Sequence, residues 1–227
     1  MKEIKIAPSL LSANFYNLEN DINKCKEGKA DIIHFDIMDG HFVPNITFGP
    51  MMLKALKPNL DNMLADVHLM IENVDSYIPA FAEAGADMIS IHCENNYHLH
   101  RSISLIKSFG IKAGIVLNPI TTLQYAFEAA EYVDFILLMS VNPGFGGQSF
   151  IDSFCRRSSE IKNYLDKNNL GNVDIEVDGG IKIDNVHLAI ENGANLIVSG
   201  SGIFSGDIVS NLITIKNRAN QVALKLK

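Results

Sequence analysis

Cysteine is scarce in this chain: three residues, Cys25, Cys93 and Cys155, lie far apart and form no CxxC pair. An odd, dispersed set supplies neither a disulfide framework nor a zinc–thiolate site, and it fits a reducing compartment. Positive charge is also short, with 19 Lys+Arg against 26 Asp+Glu and a formal net charge of −7. Such a surface does not neutralise a phosphate backbone, so no nucleic-acid partner is expected and any anionic ligand must be held locally. Long apolar runs are missing. Residues 1–8 hold no segment of secretory length, and 134–139 is far too short to span a bilayer, so a cytoplasmic protein with no membrane partner is expected. No Ser/Gly-rich linker or charge block divides the 227 residues, 47% of them hydrophobic, and they are read as one domain over 1–227 with a large core.

What is present is a rhythm. Short β-type runs recur at 4–7, 31–37, 64–69, 88–92, 112–117, 135–139, 173–177 and 196–198. Between them lie segments of helical period, such as Phe15, Leu18, Ile22, Cys25 and Val74, Tyr77, Ile78, Phe81. The clearest is Ile208, Leu212, Ile215, Ala219, Val222, Leu226, opened by Asp207 as an N-cap. Gly28, Gly85 and Gly193 each stand where a helix stops and a strand begins, which predicts a left-handed helix end at all three. Strict alternation implies parallel strands joined by crossovers. Eight such units predict a single closed α/β barrel of the (β/α)8 TIM type. An open doubly wound sheet would carry a nucleotide loop, but residues 144–149 lack the final glycine of GxGxxG and no GK[ST] occurs.

In such a barrel, chemistry gathers at the carboxyl ends of the strands. Ser9, His34, Asp36, His68 and Asp178 stand at those ends, and His34 and Asp36, two apart, share one face of their strand. Two imidazoles and two carboxylates at one mouth suit a divalent metal ion, zinc first, with iron, cobalt or manganese as alternatives. Uncompensated buried carboxylates are otherwise expensive. The loops 142–148, Asp178-Gly179-Gly180 and 199–204 are rich in glycine and free of Lys and Arg. Their backbone N–H groups, with a short helix starting near Ser201, predict a phosphate cradle. Met38, Met70 and Met139 also end strands, as core filler or as the lining of a polar ligand's site. His41, His92, His98, His100 and His187 read as surface or packing residues. The long loop 39–50 is placed to cover the mouth, with Phe42 and Val43 excluding water.

Ala7-Pro8-Ser9, His34 through Asn45, Asp66 through Met70, Met139 through Gln148, and Glu176 through Gly180 closely resemble the ribulose-phosphate 3-epimerase family, in order from Ile6 to about Phe204. The resemblance implies a metal-dependent barrel that interconverts D-ribulose 5-phosphate and D-xylulose 5-phosphate by proton transfer at C3 through an enediolate. It implies His34, Asp36, His68 and Asp178 as metal ligands and Asp36 and Asp178 as the acid/base pair. Ser9, His68, Gly144, Phe145, Gly146, Gly147, Asp178, Gly179, Gly180, Gly200 and Ser201 match the family's substrate contacts, and a homo-oligomer is expected. Two departures stand out: Gly202 replaces the Ala of many relatives, expected to loosen the phosphate helix slightly, and Cys93 replaces a frequent Pro. An allulose-6-phosphate 3-epimerase would use the same machinery, and a catalytically silent barrel is the reading from another class. A metal-free decarboxylase or aldolase is disfavoured, because D-x-K-x-x-D would put Lys where Met38 stands and Asp where His41 stands.

Overall fold

The computed structural model describes residues 2–226. Eight strands run parallel: β1 Lys5–Pro8, β2 Ile32–Met38, β3 Leu64–Met70, β4 Met88–His92, β5 Lys112–Leu117, β6 Phe135–Met139, β7 Asp174–Asp178 and β8 Leu196–Ser199. Their order is β1-β8-β7-β6-β5-β4-β3-β2, so each strand lies beside its sequence neighbour. The ring closes between β1 and β2 through a parallel bridge from Ser9 to His34. Asp31 reinforces that seam: its N–H donates to the Ile6 carbonyl at 3.2 Å, and its carboxylate accepts from the Ile6 N–H at 3.0 Å. Residues expected as strands match these within one position at each end.

The helices are α1 Leu18–Glu27, α2 Pro50–Leu56, α3 Val74–Glu83, α4 Leu99–Ser108, α5 Gln124–Ala129, α6 Ser153–Lys167, α7 Val186–Glu191, α8 Ser201–Phe204 and α9 Ile208–Lys225. Period two divides each strand between two environments. On β2, Ile33, Phe35 and Ile37 face outward into the large core shared with the helices. Ile32, Met88, Phe135 and Leu196, one from each even-numbered strand, turn inward and join Ala7 and Val198 as an apolar plug. Each full burial of this kind contributes roughly 1.5–3 kcal/mol. The plug seals one end of the ring, so the polar residues further along the same strands open only at the other.

On α9 the Asp207 carboxylate accepts from the Ser210 N–H at 2.7 Å, and Ile208, Leu212, Ile215, Ala219 and Val222 are buried. Leu226 leaves that stripe: it is the C-cap and is half exposed. Of the three helix-ending glycines, Gly85 and Gly193 take positive φ, at 100° and 99°. Gly28 does not. Its φ is −73°, and the left-handed step falls on Lys29 at 58°. Gly28 is required for space instead, since a Cβ there would lie 2.8 Å from Leu212 Cδ1 where α9 crosses α1.

Burial also sets thiol chemistry. Cys25 is buried and its thiol is pushed up to about 12, by desolvation and then by Asp21. Cys93 is buried and raised by the same cause with Glu94 second. Only Cys155 is partly accessible. Because the thiolate is the reactive species, a disulfide reagent at pH 8 should titrate one thiol of the folded chain and three only after denaturation. Rapid labelling of two or more in the native protein would contradict this packing.

Candidate functional site

The polar end of the ring collects groups from several strands. His34 Nε2 lies 3.5 Å from Asp36 Oδ1 and 3.9 Å from Asp178 Oδ2, and His68 Nδ1 lies 3.6 and 3.7 Å from the same two oxygens. These separations are too long for hydrogen bonds, yet all four atoms fall within 4.8 Å of one another. His34 Nε2 and His68 Nδ1 are buried and have no hydrogen-bond partner. Two unpartnered imidazole nitrogens facing two carboxylate oxygens form a donor set suited, once deprotonated, to a divalent cation with ligand distances of ~2.0–2.2 Å. The residues fit such an ion.

The electrostatics point the same way. Burial opposes charge on His34, but Asp36 and Asp66 outweigh it and hold the imidazole well above its usual value. Burial likewise opposes charge on His68, and its contacts with Asp178 and Asp36 raise it. Asp36 is the counterpart: desolvation works against its charge, while His34 and then His68 keep the carboxyl far below the normal range. A cation placed among these groups takes over the role of those protons.

Beneath lies a layer that spacing alone did not single out. His34 Nδ1 is 2.6 Å from Asp66 Oδ2, and this bond directs the ring so that Nε2 faces the cluster. Glu176 sits 3.8 Å from the same Nδ1. Its carboxyl is raised well above the ordinary value, first by burial and then by Asp66. Asp66 precedes His68 by two and Glu176 precedes Asp178 by two, so alternation places each on its neighbour's face. That was the available signal. His92, expected at the surface or in packing, is buried at the end of β4 with Nε2 2.9 Å from His68 Nε2.

The other predicted residues converge on the same mouth. Ser9 Oγ donates to Asp36 Oδ2 at 2.5 Å, and Ser140 Oγ donates to the carbonyls of Asp178 and Gly179 at 3.0 and 2.7 Å, pinning the end of β7. Met38, Met70 and Met139 are buried and line the opening, with Phe145, Gly179, Gly180, Gly200 and Ser201 at its rim. The glycine loops touch: a Cβ on Gly180 would lie 2.6 Å from Phe150 N, and one on Gly200 2.5 Å from Ser12 Oγ. Gly146 faces Ser12 as well, and Gly147 lines the same opening. Asn45 Nδ2 donates to the Gly144 carbonyl at 3.0 Å, tying the 39–50 loop to the loop after β6, while Val43 is buried and the Phe42 ring lies 4.6 Å from that of His92.

Gly202 has a steric role that the expected loosening of its helix did not include. A Cβ there would stand 2.5 Å from the Ile181 carbonyl and 2.6 Å from Ser199 Oγ, so in this backbone the position admits only glycine. The loops leave about 40 Å³ open beneath them. A roomier cleft of about 820 Å³ lies away from the mouth, between α6, α7 and the start of the chain, but none of the clustered histidines and carboxylates line it.

Residues 5–204 match the model of the ribulose-phosphate 3 epimerase family. The chain is 53% identical over 201 residues to a ribulose-phosphate 3-epimerase of Bacillus subtilis, covering 88% of this chain and 92% of that one. It is 47% identical over 204 residues to one of Escherichia coli K12, covering 90% of each. Among solved structures it is similar to KGPDC from Streptococcus mutans, with a TM-score of 0.73 at 11% identity over 97% of this chain and 99% of that one. It is also similar to 3-hexulose-6-phosphate synthase from Salmonella typhimurium, with a TM-score of 0.68 at 17% identity over 99% and 100%. At those identities the structural likeness speaks for the barrel alone.

Proposed function

As a member of the ribulose-phosphate 3-epimerase family, to which this chain belongs, the protein is an isomerase acting on a sugar phosphate, and we propose that it interconverts D-ribulose 5-phosphate and D-xylulose 5-phosphate with Asp36 and Asp178 as its two acid/base groups. The observation that carries this reading is the gathering of His34, Asp36, His68 and Asp178 at the open end of the ring. Inversion at C3 needs one group to remove the proton and another to return one from the opposite face. Asp36 on β2 and Asp178 on β7 are separated by β1 and β8 around the ring, so they approach a bound substrate from different sides. One starts ionised and the other protonated, and the roles exchange with direction.

His34, Asp36, His68 and Asp178 would hold one divalent cation, zinc in first place. When bound, such an ion supplies positive charge against the negative charge that develops on the enediolate. Ser9 keeps Asp36 oriented through Oγ. The three methionines surround the reacting carbons with apolar, polarizable groups and exclude water. Backbone N–H groups of Gly146, Gly147, Gly179, Gly180, Gly200 and Ser201 receive the phosphate, which accounts for anion binding by a chain of net charge −7 without a nearby ammonium. The opening beneath these loops is small, about 40 Å³, and Gly144 and Gly147 of the loop after β6 take positive φ, at 124° and 76°.

On this reading the chain works as a single barrel domain over 1–227, as a homo-oligomer and in the cytoplasm. No helix among the described residues is long and apolar enough to cross a membrane. The test is a coupled assay for xylulose 5-phosphate formed from ribulose 5-phosphate, with kcat/KM compared against allulose 6-phosphate. Higher kcat/KM on the five-carbon substrate is expected. A preference for the six-carbon sugar would reassign the substrate, and no turnover of either by metal-loaded protein would leave only the silent barrel.

A further inference from the structure

His68 can serve as a ligand only if its Nδ1 carries a lone pair, which requires the ring proton to sit on Nε2. Its Nε2 faces another imidazole nitrogen, His92 Nε2, at 2.9 Å. The rings lie within 24° of coplanar with centroids 5.0 Å apart, so the bond runs edge to edge, and one of the two nitrogens must be bare. His92 Nδ1 in turn is 3.0 Å from Glu94 Oε2. A carboxylate only accepts, so Glu94 keeps the His92 proton on Nδ1, leaves Nε2 as an acceptor and thereby holds the His68 proton on Nε2.

Glu94 is itself anchored. Its Oε1 accepts from the Asn118 N–H at 2.7 Å and from Thr121 Oγ1, both in the loop after β5. The Asn118 carbonyl then accepts from Arg157 Nη2 on α6 at 3.2 Å. His92 is fully enclosed, with the Phe42 ring also against it.

We propose that Glu94, through His92, is a positioning residue that sets the tautomer of His68 and so makes it a metal ligand. The inference rests on the four-residue metal site of the preceding reading. It makes a near-isosteric change informative. In Glu94→Gln the side-chain oxygen stays on the Asn118 N–H, a donor with no alternative role, so the NH2 group turns toward His92 Nδ1. That reverses the chain: His92 must present Nε2–H to the Nε2–H of His68, and the two donors oppose each other.

The experiment measures zinc affinity by competition with a chromophoric chelator, in the full chain, for the unsubstituted protein and for Glu94→Gln, His92→Phe and His92→Gln, with circular dichroism as a check on folding. Glu94→Gln and His92→Phe should weaken zinc binding by ~10–100-fold, the range for an outer-shell partner. His92→Gln, which restores an acceptor oxygen opposite His68 Nε2, should stay close to the unsubstituted protein. Ring-15N spectra of the zinc-loaded unsubstituted protein should show His92 protonated on Nδ1 and bare on Nε2. If the unsubstituted protein binds zinc and folded Glu94→Gln binds it equally tightly, or if His92 carries its proton on Nε2, the positioning role is overturned while the metal site stands. Failure of the unsubstituted protein to bind zinc overturns both.

Discussion

Asp178→Asn and Asp36→Asn are each expected to leave the barrel folded and to lower kcat by ~10²–10⁴-fold, the usual worth of a positioned acid or base. Asn keeps a carbonyl oxygen where the carboxylate stood, and at residue 36 that oxygen can go on accepting from Ser9 Oγ, now 2.5 Å away. It cannot take up a proton. Metal content measured on the same preparations separates loss of a ligand from loss of a base. Solvent-deuterium exchange at C3 separates the two bases from each other. Each variant retains the carboxylate on one face and should wash deuterium into one epimer only, the two variants acting on opposite epimers. Near-normal turnover in either, or exchange into both epimers by one variant, would sink the two-base scheme.

Replacement of His34 by alanine is expected to strip the metal. The ring is fully buried, its Nε2 is one of the two unpartnered nitrogens facing the carboxylates, and its Nδ1 lies 2.6 Å from Asp66 Oδ2. Loss of a direct ligand should weaken zinc binding by more than the ~10–100-fold of an outer-shell partner, so that dialysed protein carries little metal by elemental analysis. Removing one member of a buried charged pair also costs ~3–5 kcal/mol, so the thermal midpoint of the chelator-treated protein should fall as well. Full metal content after dialysis of His34→Ala would remove His34 from the ligand set. His68→Ala is the parallel case, with His92 Nε2 losing its partner in place of Asp66.

Much of the site was legible because strand geometry is local. Alternation by itself put His34 and Asp36 on one face of β2 and the greasy Ile33, Phe35 and Ile37 on the other, and the glycine after β7 marked where Asp178 would emerge. The support beneath was harder to read. Asp66 reaches His34 because the two are register partners across β2 and β3, and Glu176 arrives from the far side of the ring. His92 carries no diagnostic spacing to His68, since the two meet through neighbouring strands 24 positions apart. Gly28 departs from the expected left-handed helix end for a related reason, since the demand there is the approach of Leu212 and not the local backbone angle; the approach of the Ile181 carbonyl to Gly202 is equally invisible to local spacing.

The order of residues by itself determined the alternation of eight strands and helices, which side of each strand would be apolar, and the chemical types that end the strands, because those follow from periods of 2 and 3.6 along a single stretch of chain. Tertiary structure alone decided which nitrogen of His34 and of His68 faces the carboxylates, that burial and Asp66 push the Glu176 carboxyl up, and how Glu94 reaches His68 through His92. Those outcomes depend on distances between strands in a closed ring, and a hydrogen bond or an ion site is set by tenths of an ångström that one-dimensional spacing does not carry.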